Sequence, residues 1–483
     1  MLVLWDAADA ADAAGASGTL GRPPPTGYLP GSMSMKAGFD TTMARRRWRR
    51  VGRTAVLVAA SFLGGAVTAH VSHATSERQS PYAPMSQMAR VLVFMENHYV
   101  DPVERTRILD GAIKGMVSEL DPHSAYMTPQ EFSLFNEDTE GTFGGIGVEV
   151  DFQEDYVIVI APIPESPAAR SGVRSGDKII AVDNKLLRGM SIDKIVRLMR
   201  GPPQTKVRIT VRRKGEAEPL HFELVREHIH VRSVEGKRMT GDVAYLRLKQ
   251  FQQGSHRELL EEIAKIRKAD AKQLRGVILD MRSNPGGLID EAEGIADELL
   301  SGGAVYSTRH RGRILDEVRA HSGGALSDVP AVVLVNEYSA SSSELVAGAL
   351  QDNRRATIIG APTFGKGSVQ TIFQLPGGAG LRLTTMRYYT PSGRAIQASG
   401  ISPDVRIRYA EDEDGGPPMR EGDLEGALIG ETGSAPKAST KVLVGKERPE
   451  YVAIGKIPVD PRGKSDFALS VAYDTLLAKS AKK

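Results

Sequence analysis

The chain has 483 residues, 41% of them hydrophobic, enough to bury the cores of two or three domains. Its 62 basic and 59 acidic residues leave a formal charge of +3, which offers no general case for a nucleic-acid partner. With no cysteine, a thiol nucleophile and any thiolate metal site are excluded, and the ten histidines form no H-E-x-x-H pair for a metalloprotease.

Residues 1–80 read as a disordered leader followed by an export signal or membrane anchor. Met1 to Ala44 is rich in Ala, Gly, Pro and Ser. Arg45, Arg46, Arg47, Arg49, Arg50 and Arg53 then precede an apolar run from Ala55 to Val67. That run is short for a membrane span and suits the core of a signal peptide, with cleavage contexts at Val67-Thr68-Ala69 or Ser72-His73-Ala74. His70 argues against the alternative of an uncleaved anchor. A targeting sequence normally begins near its basic region, so Met33, Met35 or Met43 is expected as the biological start. Peptides from residues 1–30 in the native protein would refute that. The alternative is a disordered cytoplasmic tail ahead of an anchor.

Residues 82–140 carry apolar side chains at helical spacing over Met88 to Met95 and Arg107 to Leu120. Residues 141–232 read instead as a β-rich module. Val148 to Phe152 and Val207 to Arg212 alternate as strands with one wet face, and Ile192 to Met199 has the spacing of a short helix. Arg200 follows that helix. A solvated side chain or a favourable contact with the helix C-terminal dipole accounts for it, and a regulatory role is the alternative.

Residues 233–410 hold the chemistry. Gln273 to Asp280 reads as a buried strand ending in Met281-Arg282-Ser283-Asn284-Pro285-Gly286-Gly287, either a tight turn or a turn whose amide faces a carbonyl under attack. Pro330 to Val335 is a second buried strand. Leu345, Val346, Ala349 and Leu350 then recur at helical spacing, so Ser339 to Glu344 (SASSSE) sits at a strand-to-helix turn. A serine there caps the helix or serves as a nucleophile beside unpaired amides. Thr357 to Gly360 ends a third strand, and Thr363 to Gln370 (TFGKGSVQ) places Lys366 between two glycines. A solvated loop lysine is one reading. The other is a buried amine whose depressed pKa lets it deprotonate a serine without any histidine. No G-x-S-x-G elbow occurs, which disfavours an α/β-hydrolase triad. Residues 411–483 read as an acidic, Gly/Pro-rich linker and a tail, with one amphipathic helix expected over Asp466 to Ala481.

Taken together, these stretches resemble the carboxyl-terminal processing peptidases, tail-specific serine proteases with a Ser/Lys dyad and an embedded PDZ domain. The matching segments are Tyr99–Pro102, Leu120–Phe132, Gly141–Val150, Asp280–Leu288, Ser339–Asp352, Gly360–Gln370 and Tyr388–Val405, in the family's order. The resemblance implies a multidomain α+β chain. Its α/β protease core would be ClpP/crotonase-like, with an inserted PDZ β-sandwich or partly open barrel and an N-terminal helical region. It implies Ser341 as nucleophile, Lys366 as general base and Gln370 as the residue orienting the lysine. The oxyanion hole would be formed by the backbone amides of Gly287 and Ser342, where the family often has alanine at the latter position. Ser166 to Asp183 resembles the central stretch of PDZ domains, and Gly144, Gly145, Ile146 and Gly147 resemble their carboxylate-binding loop. In related enzymes an arginine placed like Arg200 couples the two domains, and the helical region serves dimerisation or gating.

The expected function is an exported, periplasmic or cell-envelope endopeptidase that cuts proteins near their carboxyl terminus. Its partners would be protein tails, an adaptor protein and further copies of itself, with membrane association through the N-terminal segment and no nucleic acid. No metal, nucleotide or organic cofactor is implied. The competing readings are a catalytically silent PDZ adaptor and a Ser/Lys amidase for a small substrate. The intact trio of Ser341, Lys366 and Gln370 argues against the first, and the Gly144–Gly147 loop against the second.

Overall fold

The computed structural model describes residues 2–5, 82–152, 156–270, 272–410, 418–430, 441–449 and 452–480. The arginine run and the apolar segment from Ala55 to Val67 lie outside them. Among the described residues no helix is long and apolar enough to cross a membrane. The chain divides into two compact units, one of Asp9–Ala112 and one of Met1–Ala8 with Ile113–Lys483.

Within the larger unit, β1 (Leu2–Trp5) pairs in parallel with Ser368–Gln374. The leader reading assigned no order to these residues. L-V-L-W is β-prone, and an open sheet edge is a ready template for it. The smaller unit carries α1 (Ala83–His98), which exposes Met85, Met88, Val91 and Phe94. Helix α2 (Arg105–Ser118) starts in that unit, where Arg105 Nε donates to Glu96 at 2.5 Å.

The larger unit continues with β2 (Ala125–Met127) and α3 (Pro129–Glu140). Thr128 and Glu131 cap α3 reciprocally, the Thr128 N–H donating to the Glu131 carboxylate at 2.9 Å. A β-domain follows. It comprises β3 (Thr142–Gly145), β4 (Val148–Phe152), β5 (Val157–Pro162), α4 (Pro167–Arg170), β6 (Lys178–Val182), β7 (Lys185–Leu186), α5 (Ile192–Met199), β8 (Lys206–Arg212), β9 (Leu220–Val225) and β10 (Glu227–His230). Its main sheet runs β4-β5-β6-β8-β9, antiparallel throughout, with β7 on β6 and a separate β3–β10 ribbon. Period-2 alternation sends Val157, Val159, Ile209 and Val211 inward, against Ile195 and Met199 of α5. Strand β4 lies at the sheet edge.

The core is built from β11 (Val234–Met239), β12 (Val243–Leu248), α6 (Ser255–Ala269), β13 (Gly276–Asp280), α7 (Ile289–Leu299), β14 (Ala304–His310), β15 (Arg313–Arg319), β16 (Ala331–Val335), α8 (Ser342–Asp352), β17 (Ala356–Gly360), β18 (Ser368–Gln374), β19 (Gly380–Tyr389), β20 (Val405–Tyr409), β21 (Lys441–Gly445) and α9 (Phe467–Ser480). One sheet runs β11-β12-β13-β16-β17-β20-β21, parallel except for β11. Strand β16 is apolar at every position and β13 at all but its last, Asp280, because both faces are covered. Val277, Leu279, Ala331 and Val333 meet Leu259, Ile263, Ile295 and Val346 of α6, α7 and α8. Ile278, Val332 and Leu334 face Ala472, Tyr473 and Leu476 of α9. A second sheet runs β1-β18-β19-β14-β15, with β2 on β19.

The segment read as linker and tail therefore supplies a strand to the main sheet and a helix to its second face. Asp466 caps that helix by accepting from the Leu469 N–H at 3.0 Å, and it also binds Arg282, which pairs with the buried Asp280. The expected helix over Asp466 to Ala481 forms as α9.

Candidate active site

Three loops leave the carboxyl ends of β13, β16 and β17, where parallel sheets place their functional loops. They are stitched together by side chains. Ser339 Oγ donates to the Met281 carbonyl at 2.8 Å, Ser343 Oγ to the Asn284 carbonyl at 3.0 Å, and the Phe364 N–H to the Ser339 carbonyl at 3.0 Å.

Ser341 sits at the junction of β16 and α8 with φ 56° and ψ −116°, a strained backbone for a residue with a Cβ. Such strain persists where the surroundings over-determine it, and here they do. The Ser341 N–H donates to Glu344 at 2.8 Å, and that buried carboxylate also accepts from Gly365 N–H, Lys366 N–H and Thr363 Oγ1. Glu344 thus clamps the serine turn to the lysine loop. Burial pushes its carboxyl up to about 7, against the pull of those donors.

The glycine turn lies against the same serine. A Cβ on Gly286, whose φ is +100°, would stand 2.7 Å from the Ser341 Cβ and 3.0 Å from the Ser342 nitrogen. Ser342 Oγ donates to the Gly287 carbonyl at 2.9 Å. Among the described residues neither the Gly287 N–H nor the Ser342 N–H has an acceptor. Two unclaimed amides beside one serine have the composition of an oxyanion hole.

Lys366 is partly buried, and desolvation, with the Arg382 charge second, lowers its ammonium from 10.5 to about 8. Its Nζ makes no hydrogen bond or ion pair among the described residues. The Ser341 hydroxyl instead meets the hydroxyl of the fully buried Tyr388, which donates to the Lys366 carbonyl. Gln370 is buried nearby, but its amide donates to Ser368 Oγ at 2.9 Å and to Thr384 Oγ1 at 3.3 Å rather than meeting Lys366. Those hydroxyls take its NH₂ group, and the carbonyl end is left without a donor among the described residues.

Sequence reasoning quoted Glu344 and Tyr388 within motifs and assigned a role to neither. The first had a local signal, an acid three residues after a turn serine, the spacing of a reciprocal cap. Nothing near Tyr388 in sequence points to Ser341, because the contact spans two sheets.

In the β-domain, the Gly144-Gly145-Ile146-Gly147 loop precedes the edge strand β4. Its carbonyls are occupied, Gly144 by the Gly201 N–H, Ile146 by the Ala168 N–H and Gly147 by the Ile163 N–H. The amides of Ile146 and Gly147 take no acceptor among the described residues. Arg200 lies 4.3 Å from the Phe143 ring centroid and 3.3 Å from Asp138 at the end of α3. No group of His, Cys, Asp and Glu suited to a metal occurs among the described residues.

A profile described as peptidase family S41 matches residues 242–407, which contain Ser341, Lys366 and both glycines of the turn. A PDZ profile matches residues 158–213, and one described as the activating protease CtpB N-terminal domain matches residues 52–131. A carboxy-terminal-processing protease of Bartonella bacilliformis is 42% identical over 336 residues, covering 69% of this chain and 77% of that protein. The chain belongs to peptidase family S41, the carboxyl-terminal processing peptidases.

A probable CtpA-like serine protease of Staphylococcus aureus is 37% identical over 329 residues, which cover 67% of this S41 chain and 65% of that relative's length. Among solved structures, the photosystem II D1 C-terminal processing protease is 29% identical. That match covers 64% of this chain and 84% of the other, with a TM-score of 0.40. The S41 chain is thus a serine-type peptidase with an embedded PDZ domain.

Proposed function

We propose that this S41 peptidase is an exported serine endopeptidase that cuts protein substrates near their carboxyl termini. The observation that carries the reading is the strained Ser341, flanked by the unclaimed N–H groups of Gly287 and Ser342 and tied through Glu344 to the backbone of a lysine of depressed pKa. In this cycle the Ser341 hydroxyl leaves Tyr388, passes its proton to the neutral Lys366 amine and attacks the scissile carbonyl. The two amides hold the resulting oxyanion, while the open Gln370 carbonyl accepts from the new ammonium. Lys366 then gives the proton to the departing amine, leaving an ester on Ser341. Water attacks that ester by the same route, with Lys366 again as base.

A substrate tail would add to the edge strand β4, with its carboxylate on the Ile146 and Gly147 amides. Arg200, bridging α5 to the end of α3, is the proposed coupling residue. The protease core is proposed to be ClpP/crotonase-like. Export through the basic and apolar N-terminal segment, and self-association through the exposed apolar side chains of α1, complete the reading. An adaptor remains a proposed partner.

Ser341→Ala tests the reading. It should retain tail-peptide binding and lose cleavage of an unfolded protein, and mass spectrometry of exported proteins should then find species lengthened at their carboxyl ends. Undiminished cleavage would remove Ser341 from the mechanism. Tail binding without any wild-type cleavage would favour the silent adaptor.

A further inference from the structure

Two segments outside the proposed mechanism close over the Lys366 loop. One is the short turn Glu421–Asp423, in the stretch whose composition reads as linker. Arg420 Nη2 donates to the Thr363 carbonyl at 2.6 Å and to the Ser399 carbonyl at 2.9 Å. The Glu421 N–H donates to the Phe364 carbonyl at 3.2 Å. The other segment is Asp121 to Ser124, just before β2. Arg382 Nε of β19 donates to the His123 carbonyl at 2.8 Å, and the Asp121 carboxylate accepts from the His123 N–H, Ser124 and Thr384.

The two segments join through a buried carboxylate. Glu421 is fully buried, and His123 Nε2 lies 2.9 and 2.8 Å from its two oxygens. A carboxylate only accepts, so that ring nitrogen carries the hydrogen. Gln397 Nε2 donates to Glu421 at 2.8 Å, and Gln397 Oε1 accepts from the Gly367 N–H at 2.9 Å. A hydrogen-bonded chain thus runs from His123 through Glu421 and Gln397 to the residue after Lys366. A Cβ on Gly367 would lie 2.4 Å from the Gln397 nitrogen, so the two backbones meet as closely as glycine allows.

Burying the Glu421 carboxylate costs desolvation free energy that a neutral amide in its place would avoid. What a carboxylate adds is negative charge, and the lysine amine lies within its field. Beyond burial, the Arg382 guanidinium disfavours the Lys366 ammonium, while the Glu421, Glu344 and Asp121 carboxylates favour it. Tyr388, also at this loop, donates its hydroxyl to the Lys366 carbonyl. In the proposed cycle the amine gains its positive charge inside this buried site, and a fixed carboxylate nearby then stabilises it.

We infer that Glu421 and His123 are positioning residues of the general base. The pair fixes the Lys366 loop through Gln397 and keeps a negative charge near the amine as it takes the proton from Ser341. The inference rests on the proteolytic reading and adds two residues to the same site.

The test compares pH profiles of peptide cleavage in variants that each remove one charge or one donor. The neutral amine is the active form, and a nearby negative charge favours the ammonium. Glu421→Gln should therefore move the rising limb of the kcat/KM profile to lower pH. It should also lower kcat on the plateau by about tenfold, with a smaller change in KM. Arg382→Gln removes a positive charge and should move the same limb to higher pH. His123→Ala should cost about tenfold in kcat, and His123→Gln, whose amide can donate to Glu421, should recover most of it. Thermal unfolding and tail-peptide binding report folded enzyme; should Glu421→Gln fail to fold, the two His123 variants decide. A limb that stays in place in folded Glu421→Gln and Arg382→Gln overturns the proposal, since a merely structural tie would leave it there. So does undiminished kcat in His123→Ala. Either result, with cleavage still abolished by Ser341→Ala, leaves the protease reading standing and removes only these two residues. Cleavage indifferent to Ser341→Ala would remove the protease reading itself.

Discussion

In the proposed cycle, burial is what converts Lys366, a common side chain, into a base. An ordinary lysine is almost wholly protonated at pH 7, whereas a pKa of about 8 leaves roughly one in ten neutral there. The neutral form is the one that accepts a proton, and its share grows as pH rises. Peptide cleavage should therefore increase with pH through an apparent pKa near 8 and level off above it; a flat profile from pH 6 to 9 would exclude a titrating lysine. Lys366→Arg keeps the charge and cannot deprotonate at these pH values, so activity should vanish while the fold persists. Glu344 touches no substrate in the proposed cycle and acts through Ser341 and Lys366, whose amides it holds. Glu344→Gln retains the size but can no longer accept from every donor. A loss of about 100-fold in kcat with a smaller change in KM is expected, since misplacement by an ångström has that cost. A change confined to thermal stability would make Glu344 structural only.

At the scale of elements, α9 is the unexpected support. It covers the second face of the parallel sheet, and through Asp466 it reaches Arg282 at the start of the glycine turn. Leu476 is fully buried against Gly276, where a Cβ would meet its side chain at 2.4 Å. Leu476→Ala should cost about 2–5 kcal/mol of stability, read as a lower urea midpoint. An unchanged midpoint would mean that α9 is dispensable to the core. The lesson for reading such chains is compositional. Glu411 to Pro418 is acidic and rich in Gly and Pro, and that stretch suggests the end of the folded chain. The later apolar residues of α9 are too few to announce which surface they cover.

Across the whole molecule, the proposed tail-binding loop and the proposed hydrolytic loops belong to separate cores, the first under α5 and the second around α8. Binding and cleavage should therefore be separable by substitution. Gly147 has a φ of +75° and a Cβ there would lie 2.2 Å from the Ser166 Cβ, so Gly147→Val strains the loop by about 1–3 kcal/mol. Tail-peptide affinity should fall about tenfold, measured by calorimetry, with the circular dichroism of the domain as control. Retained affinity would defeat the carboxylate-loop assignment.

What the sequence determined by itself was local. Continuous apolar runs marked strands buried on both faces, alternation marked the β-domain, and the order of short motifs identified the family and brought Ser341, Lys366 and the glycine turn to attention. These follow from periodicity and backbone chemistry, which act over a few neighbouring residues. Only the tertiary structure decided that Glu344 clamps two loops, that Tyr388 meets the serine, that Gln370 turns toward Ser368 and Thr384, and that His123 reaches Glu421. Each of those depends on which strands become neighbours. Pairing across long loops is settled by the burial of whole faces, which no single window of residues contains.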